Sequence, residues 1–315
     1  MPVLHKFMSM DIFESFCCDP CFRITPSWDQ NDEEEFCIDE TPALKEAEIH
    51  FGGDARERLK KYMDFHGVVS LCNDLMSSHM WDRYADNQKG IAISVEVPED
   101  DPFSLFVNSS SPGFSLSFDR GFLYSPVDYT DTPSIELNNF HPETFLKYHL
   151  TKKKEEWKIE DESRIILPFD FTSRILANES GVEKINIVLS RYGLPPVSIN
   201  NNNGAYLEID GAFIEYFIAY SKTEALADIW NAAKSHDVIF LARIDTGVPG
   251  VNCGALRRVT IGENADVERF LRIIESSRDC SFSISERLIC PLSKRISGVY
   301  QAKLETGMLE KVESE

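Results

Sequence analysis

The sequence predicts an α+β fold: one domain with a mixed, largely antiparallel sheet and helices packed on it. Three observations carry this expectation. Short apolar stretches alternate with period two, as Ile91, Ile93, Val95 and Val97 do against Ala92, Ser94 and Glu96. Helix-length segments between them repeat large apolar residues every three or four positions, as Met76, Met80, Trp81 and Tyr84 do. Asp210-Gly211 joins two strand-like runs as a two-residue hairpin signal, and no internal repeat organises the chain.

The elements follow in order. Val3 to Phe7 reads as a first strand, Met10 to Cys17 as a helix with Ile12, Phe13 and Phe16 inward, and Phe22 to Ile24 as a second strand. A polar elbow from Ser27 to Glu35 ends in the acidic run Asn31-Asp32-Glu33-Glu34-Glu35. Thr41-Pro42 opens a helix with cap and first-turn proline. Gly52-Gly53 breaks it, and Asp54 caps another that buries Leu59, Tyr62, Met63 and His66. The stretch from Ser70 to Val97 reads as a strand end, an aromatic-rich helix, a turn closed by Gly90 at positive φ, and a strand stopped by Pro98. Pro98 to Gly121 is a long Ser-, Pro- and Asp-rich loop. Phe122 to Tyr129 is a strand, and His141-Pro142 opens a helix burying Phe145, Leu146, His149 and Leu150. A strand starting near Ile159 points Glu160, Glu162 and Arg164 to one face, successive ones about 6.6 Å apart. The last third adds the hairpin of 205–220, a helix capped by Thr223, strands at 238–244 and 256–261, a helix capped by Asn264 and a strand at 288–290. Asn200 to Asn203 reads as a turn or disordered bridge. The domain is expected to span 1–307, with 308–315 a frayed acidic tail.

Composition excludes several roles. At 315 residues the chain has ample core, and its 43% hydrophobic and 27% charged content is ordinary for a globular protein. No apolar run approaches the roughly 20 residues of a membrane span, and MPVLHKF lacks a signal h-region. A cytoplasmic protein without a membrane partner is the expectation. A net charge of −20 opposes an extended nucleic-acid backbone, which requires clustered Lys and Arg. Lys152-Lys153-Lys154 is the one basic run and reads as a solvated helix face. Among the eight cysteines, Cys17, Cys18 and Cys21 lie close together with Cys37 and His50 beyond, but the second knuckle of a zinc ribbon is missing. No metal is expected. Cys72, Cys253, Cys280 and Cys290 read as buried thiols.

Several blocks together resemble a known family. Leu4-His5-Lys6-Phe7, the acidic elbow, Met80-Trp81-Asp82-Arg83-Tyr84-Ala85-Asp86-Asn87-Gln88-Lys89-Gly90, Val127-Asp128-Tyr129, and Trp157, Glu160, Glu162 and Arg164 occur in the order and spacing of the bacterial domain of unknown function 2971. The resemblance is clear over residues 4–167. Arg83 and Gln88 stand where the family motif has histidines, and Glu33 where it has proline. The family has no agreed activity and is discussed near phage-defence genes, so the resemblance implies a bacterial protein linked to phage defence.

Two functions follow. His5, Tyr84 and Glu162 occur in the order of the His/Arg, Ser/Tyr and Glu of ADP-ribosyltransferases, and Glu160-Asp161-Glu162 has the E-x-E form some of them use. By that analogy the chain cleaves NAD, with Glu162 stabilising an oxocarbenium-like transition state. The alternative is a non-catalytic sensor or partner module whose aromatic cleft binds a nucleotide-like ligand or a protein segment. Metal-dependent hydrolysis by the 31–35 carboxylates is weaker, because no histidine is spaced to join them. In the enzyme reading Glu162, His5 and Tyr84 are the catalytic candidates, and in either reading Trp81, Lys89, Gly90, Trp157, Glu160 and Arg164 are the ligand-binding ones. No cofactor is called for, and NAD is the candidate substrate. Tyr84, Lys89, Glu162 and Arg164 are expected to line one cleft with a tryptophan wall.

Overall fold

The computed structural model describes residues 1–27, 29, 45, 48–49, 52–107, 124–130, 142–197, 199–203, 206–209, 228–229, 232, 238–245, 255–277, 282–284, 287–289, 299–304 and 307–312. The acidic elbow, Cys37, His50, the Asp210-Gly211 hairpin, the Thr223 cap and Cys253, Cys280 and Cys290 lie outside them.

The chain begins with β1 (Val3–Met8), α1 (Met10–Cys18) and β2 (Cys21–Pro26). Ser9 starts α1 by accepting the Ile12 N–H at 3.3 Å. Next come α2 (Ala55–Asp64), β3 (His66–Cys72), α3 (Ser78–Tyr84) and β4 (Ile91–Glu96). His66, expected inside a helix, is instead the first residue of β3. Beyond them lie β5 (Tyr124–Pro126), α4 (Pro142–Leu150), a 3₁₀ turn (Glu155–Glu160), β6 (Glu162–Pro168), β7 (Arg174–Ala177) and α5 (Glu179–Arg191). Asn178 caps α5 on the Gly181 N–H at 2.8 Å. The remainder is β8 (Ile199–Asn203), β9 (Tyr206–Ile209), β10 (Val238–Arg243), β11 (Leu256–Ile261), α6 (Val267–Ser276), the small hairpin of β12 (Phe282–Ile284) and β13 (Arg287–Ile289), then β14 (Val299–Lys303) and β15 (Met308–Val312).

The described residues form an α+β fold on a 13-stranded sheet, ordered β15-β14-β11-β4-β1-β3-β2-β10-β7-β9-β8, with β6 beside β3 and β5 beside β6. Every pairing between its described strands is antiparallel except β11 with β14. The mixed, largely antiparallel sheet is thus the one expected. Two segments differ. Asn200–Asn203 belongs to β8 and pairs with β9, and the tail expected to fray supplies β15, in register with β14 from Val312 to Met308. A neighbouring strand that satisfies the backbone outweighs poor intrinsic propensity at both places.

β3 organises the sheet. One edge pairs with β6 along its whole length, from His66↔Pro168 to Cys72↔Glu162. The other edge is shared: β1 meets it at His5↔Cys72, and β2 at Val68 and Gly67. Where β1 and β2 part, Lys6 Nζ donates to the Ser70 carbonyl at 2.9 Å. The large core includes Leu4, Val69, Leu71, Ile93, Val95 and Ile165, and α1 and α6 meet through stacked Phe13 and Phe270, 5.4 Å apart. A smaller cluster under α3 holds Phe7, Cys72, Leu75, Trp81, Ala85 and Ala92. No described helix is long and apolar enough to cross a membrane.

Candidate functional site

Glu162 opens β6 opposite Cys72, which is itself opposite His5. Directly paired residues point to one face of a sheet, so His5, Cys72 and Glu162 form a row. Two strand spacings, roughly 9.6 Å, separate the backbones of its ends. The sequence expectation of a strand from Ile159 fails here. Residues 155–160 form a 3₁₀ turn, and Asp161 takes a left-handed conformation (φ 42) before β6 begins. Asn73 secures that corner: its backbone N–H and its side-chain amide donate to the Asp161 carbonyl at 2.9 and 2.8 Å. The kink brings Glu160 and Glu162 to a shared lysine.

Lys153 Nζ lies between them, 2.6 Å from Glu160 Oε2 and 3.2 Å from Glu162 Oε2. Arg164 grips Glu162 with two bonds, Nε to Oε1 at 2.8 Å and Nη2 to Oε2 at 3.1 Å. Its Nη1 donates to the Leu150 carbonyl at 2.9 Å, where a cation also complements the negative end of α4. Arg164 is 0% exposed and Glu162 6%. Burial alone would raise the Glu162 pKa, but Arg164, with help from Lys153 and Ser70, holds it down at about 2. The carboxylate is therefore ionised and saturated.

Glu160 is served differently. Its Oε1 accepts the Tyr84 hydroxyl at 2.6 Å and stands 3.9 Å from His79 Nε2. Burial and the Glu160 contact push the Tyr84 phenol above its ordinary range, so it stays a proton donor. Arg83 lies over the Trp157 ring at 4.7 Å, and Lys153 is 5.1 Å from the same ring. Tyr129 Oη accepts the Glu162 backbone N–H at 2.9 Å. Beyond it opens a hollow of about 450 Å³ lined by Val127, Asp128, Tyr129, Thr130, Glu155 and Lys158.

Tyr84, Trp157, Glu160, Glu162 and Arg164 are thus brought together. Four candidates are not. Trp81 is fully buried, edge-on to Phe7 at 5.0 Å, with its indole N–H on the Leu75 carbonyl at 2.8 Å, so it is core rather than a cleft wall. Lys89 is exposed, its backbone closing the turn on Asp86. Gly90 is needed for space, not for positive φ: a Cβ there would lie 2.2 Å from the Met8 carbonyl oxygen. The left-handed residues are Asp86, Asn87 and Gln88, at φ 50, 54 and 67. The Gln88 carbonyl accepts the Asn264 N–H at 3.1 Å, and a Cβ on Gly262 would lie 2.0 Å from that carbonyl oxygen. Asn264 therefore braces this turn, and Asp266 caps α6 in its place. His5 bonds Ser94 Oγ at 2.9 Å, and burial with the Arg258 charge lowers its pKa to about 4, so it is neutral.

Sequence reasoning missed Lys153, His79, Arg83, Ser70 and Tyr129. His79 and Arg83 are four apart on α3 and were legible as a face. Lys153 carried no spacing signal, because the 3₁₀ turn sets its distance from the carboxylates. Lys6 was also missed; burial lowers its amine to about 8, opposed by Glu162. None of the four described cysteines forms a disulfide, and burial pushes the Cys21 and Cys72 thiols up to about 12. Among the described residues no group of three His, Cys, Asp or Glu is placed to share a metal ion.

No curated protein and no solved structure matches the chain. A family described as Protein of unknown function (DUF2971) matches residues 80–165. That block holds Tyr84, Lys153, Trp157, Glu160, Glu162 and Arg164, and it is over this stretch that the chain resembles the DUF2971 family.

Proposed function

We propose that the chain is a binding module for a small nucleotide-like ligand, seated between α3 and the 155–160 turn. The observation that carries this reading is the unequal service of the two carboxylates. Glu162 takes two bonds from Arg164, one from Lys153 and one from Ser70, so it is an anchor. Glu160 keeps a half-buried rim of Tyr84, His79 and Trp157 around it. Aromatic walls around a few converging charges are the usual make-up of a small-ligand pocket, and Arg83 adds a cation suited to a phosphate.

An NAD-cleaving, ADP-ribosyltransferase-like enzyme linked to phage defence is the second reading. The 2.6 Å contact between Tyr84 and Glu160 favours it, since it gives a tyrosine and a glutamate in one place. Against it, His5 stands across Cys72 from Glu162. Thermal melting with NAD, followed by assay for released nicotinamide, separates the two. Binding raises the midpoint by mass action, and binding without release is the expected result. Released nicotinamide makes it an enzyme, and no shift with NAD, ADP-ribose or AMP refutes the nucleotide reading.

A further inference from the structure

The seam between α3 and the 155–160 turn holds two ring nitrogens that no described residue serves. Trp157 Nε1 and His79 Nε2 are both out of solvent, and neither has a hydrogen-bond partner among the described residues. Around them the bonds are complete: Tyr84 donates to Glu160, Lys153 to both carboxylates, and Arg164 to Glu162 and Leu150. Orphaned atoms are rare in a well-bonded cluster and call for a missing partner.

The chemistry of that partner follows from the atoms. An indole N–H only donates, so the partner must bring an acceptor oxygen to Trp157. His79 Nε2 is 3.9 Å from Glu160 Oε1, too far for a direct bond, while a single oxygen set to one side reaches both at about 2.8 Å. Beside a carboxylate that oxygen must carry a hydrogen to donate. A phosphate or carboxylate brings acceptors alone and would face Glu160 across the gap; an ammonium brings no acceptor for the indole. Hydroxyls do both, one accepting from the indole and another bridging the His79–Glu160 gap. Arg83, one turn after His79 on α3 and lying over Trp157, puts a cation at the rim for an attached phosphate.

We propose that His79, Glu160 and Trp157 form a seat for the hydroxyls of a sugar ring carrying a phosphate, with His79 a direct ligand residue. The inference rests on the nucleotide-binding reading and names the part of the nucleotide that is held. The test is calorimetric titration of the full chain with AMP, 2′,3′-dideoxy-AMP, nicotinamide and ribose 5-phosphate, on wild type, His79→Ala and Trp157→Phe. The last variant keeps an aromatic ring and removes the N–H together with the pyrrole half of the indole. AMP should bind wild type at least about tenfold more tightly than the dideoxy compound, the worth of one good hydrogen bond. Each substitution should shrink that gap while leaving the melting midpoint of the unliganded protein within a few degrees. Equal binding of AMP and dideoxy-AMP overturns the seat but leaves the nucleotide reading standing. Binding of nicotinamide that both variants abolish assigns the seam to a carboxamide and also overturns it. Should AMP fail while ribose 5-phosphate binds and is lost in Trp157→Phe, the seat stands and the nucleotide reading falls. With neither bound, the orphaned nitrogens hold only water and the proposal is wrong.

Discussion

Among the described residues stand two largely buried clusters of balanced charge, and they are built differently. In the first, Arg243 grips Asp19 through Nε at 2.6 Å and Nη2 at 3.0 Å. Arg174 reaches Asp19 at 3.2 Å and grips Glu208 with bonds of 2.8 and 2.7 Å. Its arginines and Glu208 come from neighbouring strands β10, β7 and β9, and Asp19 closes α1. Guanidinium and carboxylate match fork to fork, which fixes geometry and leaves nothing over. The second cluster has one such pair, Arg164 with Glu162. The rest is a lysine, a phenol, an imidazole and a second glutamate delivered by α3 and a turn. The first cluster is a ladder of rigid partners on rigid elements; the second adds two ring nitrogens, on His79 and Trp157, that no described residue bonds. That difference is what supports the proposal that the Glu160 cluster is a site.

The comparison can be broken most forcefully at the guanidiniums. Arg164→Ala leaves Glu162 buried without its partner and should cost about 3 to 5 kcal/mol in urea unfolding, and Asp19→Asn a similar amount in the ladder. A loss below about 1 kcal/mol at Arg164 would mean that Glu162 is not an anchor. Glu162→Gln, by the same argument, should cost about 3 kcal/mol.

Acid separates the groups along the pH axis. The folded protein holds His5 at about 4 against 6.5 unfolded, chiefly through burial and then the Arg258 charge, with Asp74 opposing. Below pH 6.5 the unfolded chain takes a proton that the folded one refuses. Stability is therefore full above 6.5 and falls by about 3 kcal/mol as pH drops toward 4. Glu162 acts lower: its contribution is present above 4.5 and is lost as pH falls toward about 2. Denaturation curves of His5→Gln should lose the upper slope and keep the lower one.

Smaller effects sharpen the contrast. Gly262→Ala forces a methyl against the Gln88 carbonyl and should cost about 2 kcal/mol, measured by chemical unfolding. Glu160→Gln should cost only about 1 kcal/mol in stability, since the hydrogen bond to Tyr84 survives and Lys153 keeps Glu162 as its counter-charge, yet remove nucleotide binding in the melting assay. Equal stability losses at Glu160 and Glu162 would erase the distinction between site and anchor.

Alternation made β4 legible, because Ile91, Ile93 and Val95 pack on the large core while Ala92 joins the cluster under α3. The same rule misled at Glu160 and Glu162. Their two-residue spacing imitates a strand, whereas a left-handed Asp161 produces the common direction. β8 was hidden in an asparagine run, and β15 in an acidic tail, because an edge strand is defined by its neighbour rather than by its own residues. β7 and α5 went unread altogether. Of the site, Tyr84, Trp157 and the Glu-x-Glu-x-Arg block were visible as motifs. Lys153 and the isolation of His5 were not, since the first depends on the 3₁₀ turn and the second on which strands lie side by side.

The turn of Asp86, Asn87 and Gln88 bears on how the chain assembles. Left-handed backbone costs about 1 to 2 kcal/mol per L-residue, and Asn and Asp soften that cost for two of the three. The opposing brace comes from Gly262 and Asn264, the latter 176 positions further along the chain than Gln88. During synthesis the first half of the protein emerges with β4 and α3 already written. The bend between them is then held by its local bonds alone, such as the Gln88 N–H to the Trp81 carbonyl at 3.0 Å and the Gly90 N–H to the Ala85 carbonyl at 2.7 Å. The α3 rim of the seam gains its distant brace only where β11 pairs with β4, and a chain truncated before residue 255 should keep the bulk of the Glu162 anchor and hold Tyr84 less firmly.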